Sequence, residues 1–225
     1  MRYIPLLLVL FGMPPVLSAQ DPRFEGRLDP ATRDAVAALV DSARAAGLPT
    51  EPIVDKALEG ATKHASGERI VAALRNLTAD LRTARTALGA QAPDADVVAG
   101  ATAIRAGAHP DLLDHLEQTR GKSGLAVPLA VLADLVARGV PVDTAASVVL
   151  NLARRGADDG DFTSLERGVA QDIGAGASPG VAAAVRSHGA GAGGQGQGGG
   201  PPAGVPANPP KKGHNKPQGP TPGHP

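Results

Sequence analysis

Cysteine and tryptophan are absent from this chain of 225 residues, and aromatic residues make up only 2% of it. Without cysteine the chain has no disulfide, no thiolate nucleophile and no Cys-ligated zinc site. A core without large rings is built from Ala, Leu, Val and Ile, and each contact between such small side chains buries little area. We therefore expect a domain of ordinary or low stability, with a free energy of unfolding of about 5–10 kcal/mol.

An excess of charge of either sign is absent as well. Lys and Arg together number 22, Asp and Glu together also number 22, and the formal net charge is zero. Because nucleic-acid-binding proteins usually carry a basic excess, the composition predicts no nucleic-acid partner. No run of alternating β-branched and polar residues with hairpin turns occurs either, which argues against a β-sheet fold.

Residues 1–19 have the pattern of a secretory signal peptide. Arg2 supplies a positive start, an apolar run follows from Ile4 to Phe11, and a small residue, Ala19, precedes Gln20. The apolar run is shorter than the ~20 residues that span a bilayer, so a cleaved signal is favoured over the alternative, an uncleaved anchor. We expect export to the periplasm or the extracellular space, with no transmembrane span after cleavage.

The pattern of residues 29–188 predicts an all-α domain. A polar lead-in, residues 20–28, precedes this domain. Residues 125–155 form the clearest pattern, a mostly apolar segment that ends at Gly139 and a second helix that follows Pro141. The combination of a helix, Gly, one or two residues, Pro and a new helix recurs at Gly47/Pro49, Gly107/Pro110, Gly139/Pro141 and Gly176/Pro179. The fold class is an array of short helical hairpins. A solenoid-like stack and an orthogonal bundle both fit, because the spacing is irregular and no signature of a named repeat family is present.

Residues 189–225 change abruptly to Gly, Pro, Gln, Asn, Lys and His. Such a segment has almost no apolar side chains to bury, so we expect a disordered tail. Lys211, Lys212 and Lys216 make it locally positive. That charge predicts a weak, salt-sensitive attraction to an anionic envelope polymer, and the proline-rich parts are also suited to contact another envelope protein.

Two groups of residues are candidates for metal binding. Asp111 and His115 lie four apart on a short predicted helix and can share a face, although two ligands are too few without a third. The second half of a calcium-loop pattern fits residues 158–166, with ligands at Asp159, Asp161 and Glu166. Its first two ligand positions fall on Arg155 and Ala157, which favours the alternative, acidic residues that cap a helix start.

No other motif of catalysis or cofactor binding is present. The glycines do not form a phosphate-binding loop, no nucleophile elbow occurs, and no Ser, His and Asp are placed as a triad. We therefore predict no cofactor and an exported, non-enzymatic helical binding or scaffold protein of a bacterial cell envelope. The alternative is an envelope enzyme or metal-dependent protein that uses the Asp and His positions of the helical domain.

Overall fold

The computed structural model describes residues 21–189, without the side chains of Lys122 and His188. In this range, most helices begin at or next to a proline or an acidic residue. All regular structure in this range is helical, which confirms the predicted class. The α-helices are α1 (Pro30–Ala45), α2 (Glu51–Thr62), α3 (Gly67–Leu88), α4 (Asp94–Arg105), α5 (Pro110–Arg120), α6 (Ala126–Ala137), α7 (Val142–Arg154), α8 (Asp159–Gly174) and α9 (Pro179–Gly189). None of them combines the length and the apolar character that crossing a bilayer requires.

Local capping explains several of these boundaries. Asp29 accepts a hydrogen bond from the backbone N–H of Thr32 at 3.0 Å, and Pro30 follows it at the first helical position, as the sequence predicts. At α8 the side chains of Asp158 and Asp161 form a reciprocal capping box, so the helix begins at Asp159, whereas the apolar pattern of the sequence predicts a start at Phe162.

The predicted cap of α7 is wrong. We expected Asp143 or Thr144 to cap this helix, but the N-cap residue is Pro141, with φ −53° and ψ 137°. The chain is already helical from Val142, because the fixed φ of proline suits entry into a helix. Asp143 lies instead in the first turn, where its charge favours the positive end of the helix dipole.

Six joints between helices share one hydrogen-bond pattern. Past each helix end, a residue with positive φ is followed by a residue whose N–H bonds a carbonyl five positions back, as in a Schellman motif. The donor and acceptor residues are Leu48 and Ala43, Ala65 and Gly60, Ala108 and Ala103, Val140 and Leu135, Ala157 and Leu152, and Ala177 and Asp172. The Gly/Pro signature identifies four of these joints. The other two, at His64 and Gly156, have no proline beside them.

The helices stack in two layers. Each odd-numbered helix contacts the next odd-numbered one, from α1 to α9, and α4, α6 and α8 contact one another in the same order. The layers meet chiefly where α3 packs on α2 and α4, α6 on α7 and α8 on α9. This arrangement corresponds to the solenoid-like alternative.

The core lies between the layers and is mostly aliphatic. Leu129, Leu132 and Leu135 of α6 are fully buried, which agrees with the apolar pattern of this helix. The lead-in also contributes to the core, which its polar composition did not predict. Its 3₁₀ turn, Pro22–Phe24, buries the ring of Phe24 to 1% exposure. The predicted signal peptide and the predicted tail, from residue 190 onward, lie outside the described residues.

Candidate binding groove

The second layer is interrupted between α2 and α4. Helices α4, α6 and α8 pack in order, whereas a groove of about 560 Å³ separates α2 from α4. The groove exists because α3 has 22 residues, about 33 Å, and seats α2 and α4 side by side along its length. Leu77, at the middle of α3, lines the groove between them.

The floor of this α2–α4 groove is apolar. Leu77 and Val98 are half-buried, and Ala101 is buried. Removing such carbon surface from water is favourable by roughly 25 cal/mol per Å². The floor is therefore suited to an apolar side chain of a partner.

The charged residues of the walls are largely paired. On α2, Glu59 accepts hydrogen bonds from Lys56 at 2.7 Å and Lys63 at 2.5 Å. These two ammonium groups, Lys56 first, lower the pKa of Glu59 to about 2. On α4, the guanidinium of Arg105 donates to one carboxylate oxygen of Asp80 at 2.8 and 3.1 Å. The Arg105–Asp80 pair links α4 to α3, whereas the pairs of Glu59 stay within α2 and its C-cap, and both leave little charge for a partner.

Asp55 is the exception in the walls. It lines the groove from α2, is exposed, and makes no ion pair within residues 21–189. A carboxylate in this state can accept a hydrogen bond from an incoming lysine or arginine. The groove therefore combines an apolar floor with one acceptor for a cation.

Two other clefts are less suited to binding. In the cleft between the lead-in, α1 and α2, Arg23 crosses from Asp21, at 2.7 Å, to Glu51, at 2.6 Å. These pairs lower the pKa of both carboxyl groups, chiefly through their hydrogen bonds to Arg23. The cleft between α3 and α5, about 550 Å³, separates two helices that are already in contact.

The first pair of predicted metal ligands lies on the exposed side of α5. Asp111 lines the α3–α5 cleft, and its carboxylate lies 3.2 Å from Nδ1 of His109. His115 is exposed, and its backbone carbonyl accepts a hydrogen bond from the hydroxyl of Thr119. Among the described residues, Asp111 and His115 belong to no group of three His, Asp or Glu side chains that could hold a metal ion.

The acidic residues of the calcium-loop pattern lie on α8. Asp159 binds Arg120 at 2.8 Å, Asp161 belongs to the capping box, and Glu166 lies 3.2 Å from Arg138. This segment is a helix start, as the capping alternative predicted. Arg120 is nine residues, about 14 Å, along α5 from Asp111, so the contact with Asp159 does not unite the two groups. Across residues 21–189, no three His, Asp or Glu side chains are grouped to hold a metal ion.

The sequence did not indicate the roles of two structural residues. Asp96 is buried and accepts hydrogen bonds from the backbone N–H groups of Leu125 and Ala126, at 3.0 and 2.8 Å. The side chain of Arg120, only 5% exposed, donates to the carbonyl of Ala157 at 2.6 Å and lies 5.0 Å from the ring centroid of Phe162. Their partners are about 30 or more residues away, beyond the reach of local patterns.

The chain matches no protein-family model, and neither the curated proteins nor the solved structures contain a significant match to it.

Proposed function

We propose that this protein is an exported, non-enzymatic binding or scaffold module of a bacterial cell envelope, and that it holds a helix of another envelope protein in the α2–α4 groove. The observation that supports the proposal is the interruption of the second helix layer. A helix placed between α2 and α4 would continue the packing that α4, α6 and α8 already have. Helix-in-groove binding is a common mode of peptide recognition.

The size and chemistry of the groove specify the partner. One turn of a helix 10 Å wide and 5.4 Å long occupies about 420 Å³, so a groove of about 560 Å³ takes slightly more than one turn. One apolar side chain of the partner would contact Leu77 and Val98. A lysine or arginine three or four positions away would reach Asp55, since residues at that spacing share a helix face.

The alternative, an envelope enzyme or metal-dependent protein, has less support. It requires the predicted Asp and His residues to meet in one pocket. Asp111 lines the α3–α5 cleft and His115 is exposed on α5, whereas Asp161 and Glu166 are engaged in a cap and an ion pair on α8. Apart from Asp55, the charged groups that line the α2–α4 groove are engaged in ion pairs.

Export is the part of the proposal that rests on residues 1–19. We expect the chain to be recovered outside the cytoplasm with Gln20 as its first residue, as measured by cell fractionation and intact-mass spectrometry. A cytoplasmic chain that retains Met1 would contradict export. Lys211, Lys212 and Lys216 of the tail would add weak attraction to an anionic envelope polymer, which moderate salt would abolish.

Binding in the groove is tested by site-specific photo-crosslinking in the producing cells. A benzophenone amino acid replaces Thr102, an exposed residue of the groove wall, and the same amino acid at Ala130, exposed on α6, serves as the control. We expect one discrete adduct from position 102 and none from position 130. Asp55→Lys should abolish that adduct by repelling the cation of the partner.

A matched charge reversal separates groove binding from a general effect of charge. Asp143→Lys changes another exposed carboxylate, at the start of α7, and should leave the adduct unchanged. Equal adducts from positions 102 and 130, or an adduct insensitive to Asp55→Lys, would reject the groove as the binding site. Mass spectrometry of the adduct also tests whether the partner has an apolar residue and a basic residue three or four positions apart.

A further inference from the structure

A cavity of about 330 Å³ lies between the segment that joins α3 to α4 and the end of α5. Residues 88–93 form one side of it, and Asp96, Glu117, Gly121 and Leu125 complete the lining. The cavity shares no residue with the α2–α4 groove. Pockets for small ligands measure about 300–1,000 Å³, so this cavity has the size of a site for a small molecule.

Asp96 presents one carboxylate oxygen to the cavity. The residue is 7% exposed, and its Oδ1 accepts hydrogen bonds from the N–H groups of Leu125 and Ala126, at 3.0 and 2.8 Å. No described residue donates to Oδ2. The fully buried side-chain atoms that lack a partner in the described residues are Nε of Arg33 and Nε of Arg85, so Oδ2 is open to the cavity that Asp96 lines. A carboxylate in a buried position favours a hydrogen-bond donor at each oxygen, and a donor for Oδ2 can enter only from the cavity.

A second carboxylate lies at the exposed side of the cavity. Glu117 of α5 is exposed and makes no ion pair among residues 21–189. The arginines in the adjoining turns of α3 and α5 are engaged elsewhere, Arg85 with Asp94 at 2.7 Å and Arg120 with Asp159 at 2.8 Å. The two carboxylates of the cavity therefore remain available to a cation.

The rest of the lining includes apolar side chains. Leu88 and Leu125 are 6% and 2% exposed, and Ala92 and Pro93 line the cavity with them. Methylene groups gain free energy when such carbon surface removes them from water. A cavity of about 330 Å³ would be about 9 Å across if it were spherical. Five methylenes between two ammonium groups separate the nitrogens by roughly 7.5 Å, so a chain of this length fits.

We propose that this cavity binds a short aliphatic diamine, with one ammonium group on Oδ2 of Asp96 and the other on the carboxylate of Glu117. Hydrogen bonds between an ammonium and a carboxylate are charge-assisted and stronger than neutral ones. The methylene chain would contact Leu88 and Leu125. A metal ion suits the cavity less well, because no three His, Asp or Glu side chains are grouped to hold one within residues 21–189. The site is independent of helix binding in the α2–α4 groove, so either proposal can fail alone.

The experiment is isothermal titration calorimetry on the full chain as recovered from producing cells, at low salt and near neutral pH. Cadaverine is the probe, and we expect a dissociation constant below about 1 mM. Pentylamine, which lacks the second ammonium group, should bind about three- to fivefold more weakly, since a pair with an exposed carboxylate contributes little. Calcium chloride should give no heat of binding.

Two variants separate the roles of the two carboxylates. Asp96→Asn keeps an oxygen for the N–H groups of Leu125 and Ala126 but places an NH₂ donor at the position of Oδ2. It should retain the cap and the helical spectrum and abolish binding of both amines. Glu117→Gln should reduce the affinity for cadaverine to that for pentylamine and leave the affinity for pentylamine unchanged. Asp143→Asn, at an exposed carboxylate of α7, is the matched control and should bind like the wild type.

Four outcomes would overturn the proposal. They are no binding of cadaverine up to about 10 mM, binding that survives Asp96→Asn, loss of binding in Asp143→Asn, and calcium binding that Asp96→Asn removes. If Asp96→Asn fails to fold, Glu117→Gln decides alone, because it changes an exposed side chain. Equal affinities of that variant and the wild type for cadaverine would then reject the site.

Discussion

The carboxylate of Asp96 joins two helices that lie far apart in the sequence. It is 7% exposed and caps α6 from α4, through hydrogen bonds from the N–H groups of Leu125 and Ala126. Asp96→Ala leaves both donors without a partner, so we expect the free energy of unfolding to fall by about 1–3 kcal/mol. Urea unfolding measures this change. Asp143→Ala, an exposed carboxylate in the first turn of α7, should change it by less than about 0.5 kcal/mol.

Glu59 makes the stability of the groove wall dependent on pH. Its pKa falls from 4.5 to about 2 in the folded chain, through hydrogen bonds first from Lys56 and then from Lys63. A carboxyl group with a lowered pKa stabilises the fold above its unfolded pKa, and the contribution is lost as pH falls from about 4.5 to about 2. Glu59→Gln should therefore weaken the dependence of the melting temperature on pH between about 4.5 and about 2, relative to the wild type.

Because Glu59 is exposed, the pH measurement has two controls, the salt concentration and a second exposed carboxyl group. Salt screens surface pairs, so the difference between wild type and Glu59→Gln should shrink at high ionic strength. Glu68→Gln changes an exposed carboxyl group that makes no ion pair among the described residues. An equal effect of both substitutions would show that the pH dependence does not arise at Glu59.

Residue roles were predictable where the partner is a few positions away. The caps at Asp29 and Asp158 follow from their own neighbours. The roles of Asp96 and Arg120 were not predictable, because each depends on a helix that comes close only after folding. An acidic residue near a helix start is a typical cap, and nothing in the local sequence separates Asp96, which caps a distant helix, from such residues.

At the scale of the element, glycine ends the helices by adopting positive φ. Gly139 has φ 91° between α6 and α7 and precedes Val140, whose N–H bonds the carbonyl of Leu135 at 3.0 Å. Gly139→Ala forces a Cβ into this conformation and should cost about 1–2 kcal/mol of unfolding free energy. Urea unfolding of the single variant measures the loss.

Gly174 provides the matched control for this element. It lies within α8, without positive φ, and a Cβ added there meets no atom within 4 Å. Gly174→Ala should stabilise the fold by about 0.5 kcal/mol, because alanine has the higher helix propensity. The same sign of effect at positions 139 and 174 would contradict the role assigned to the joint.

Most helix ends could thus be predicted from the sequence, and the errors in the predicted ends have local causes. The start of α8 was expected at Phe162 because the apolar pattern begins there, whereas the capping box of Asp158 and Asp161 extends the helix back to Asp159. The joint at His64 was less evident, since a positive φ of 52° is unusual for a residue other than glycine.

At the scale of the whole molecule, the order in which the helices pack in the two layers could not be predicted from the sequence. The hairpin joints are alike in a solenoid and in a bundle, and the irregular helix lengths hide any period. The decisive feature is the length of α3, which alone contacts α1, α2, α4 and α5. The apolar spacing of residues 67–88 predicts one long amphipathic helix, but its part in separating α2 from α4 follows only from its neighbours.

The same neighbour relations predict how protection is distributed. In a stacked array, a helix with many neighbours opens less often than one at the end. Amide hydrogen exchange at dilute concentration should be slowest in α3, α4 and α6 and fastest in α9 and the turn Pro22–Phe24. Exchange measured by mass spectrometry on proteolytic fragments tests this order. Equal protection of α3 and α9 would instead indicate a single cooperative unit.

The linear order of the first layer also determines how the molecule would respond to tension. Because α1 and α9 stand at opposite ends and no disulfide links the helices, a pulling force between them passes through each helix contact in turn. Contacts loaded in series yield one at a time, the weakest first. The array would therefore lengthen in steps at low force, as an extensible tether does, while its central helices stay folded.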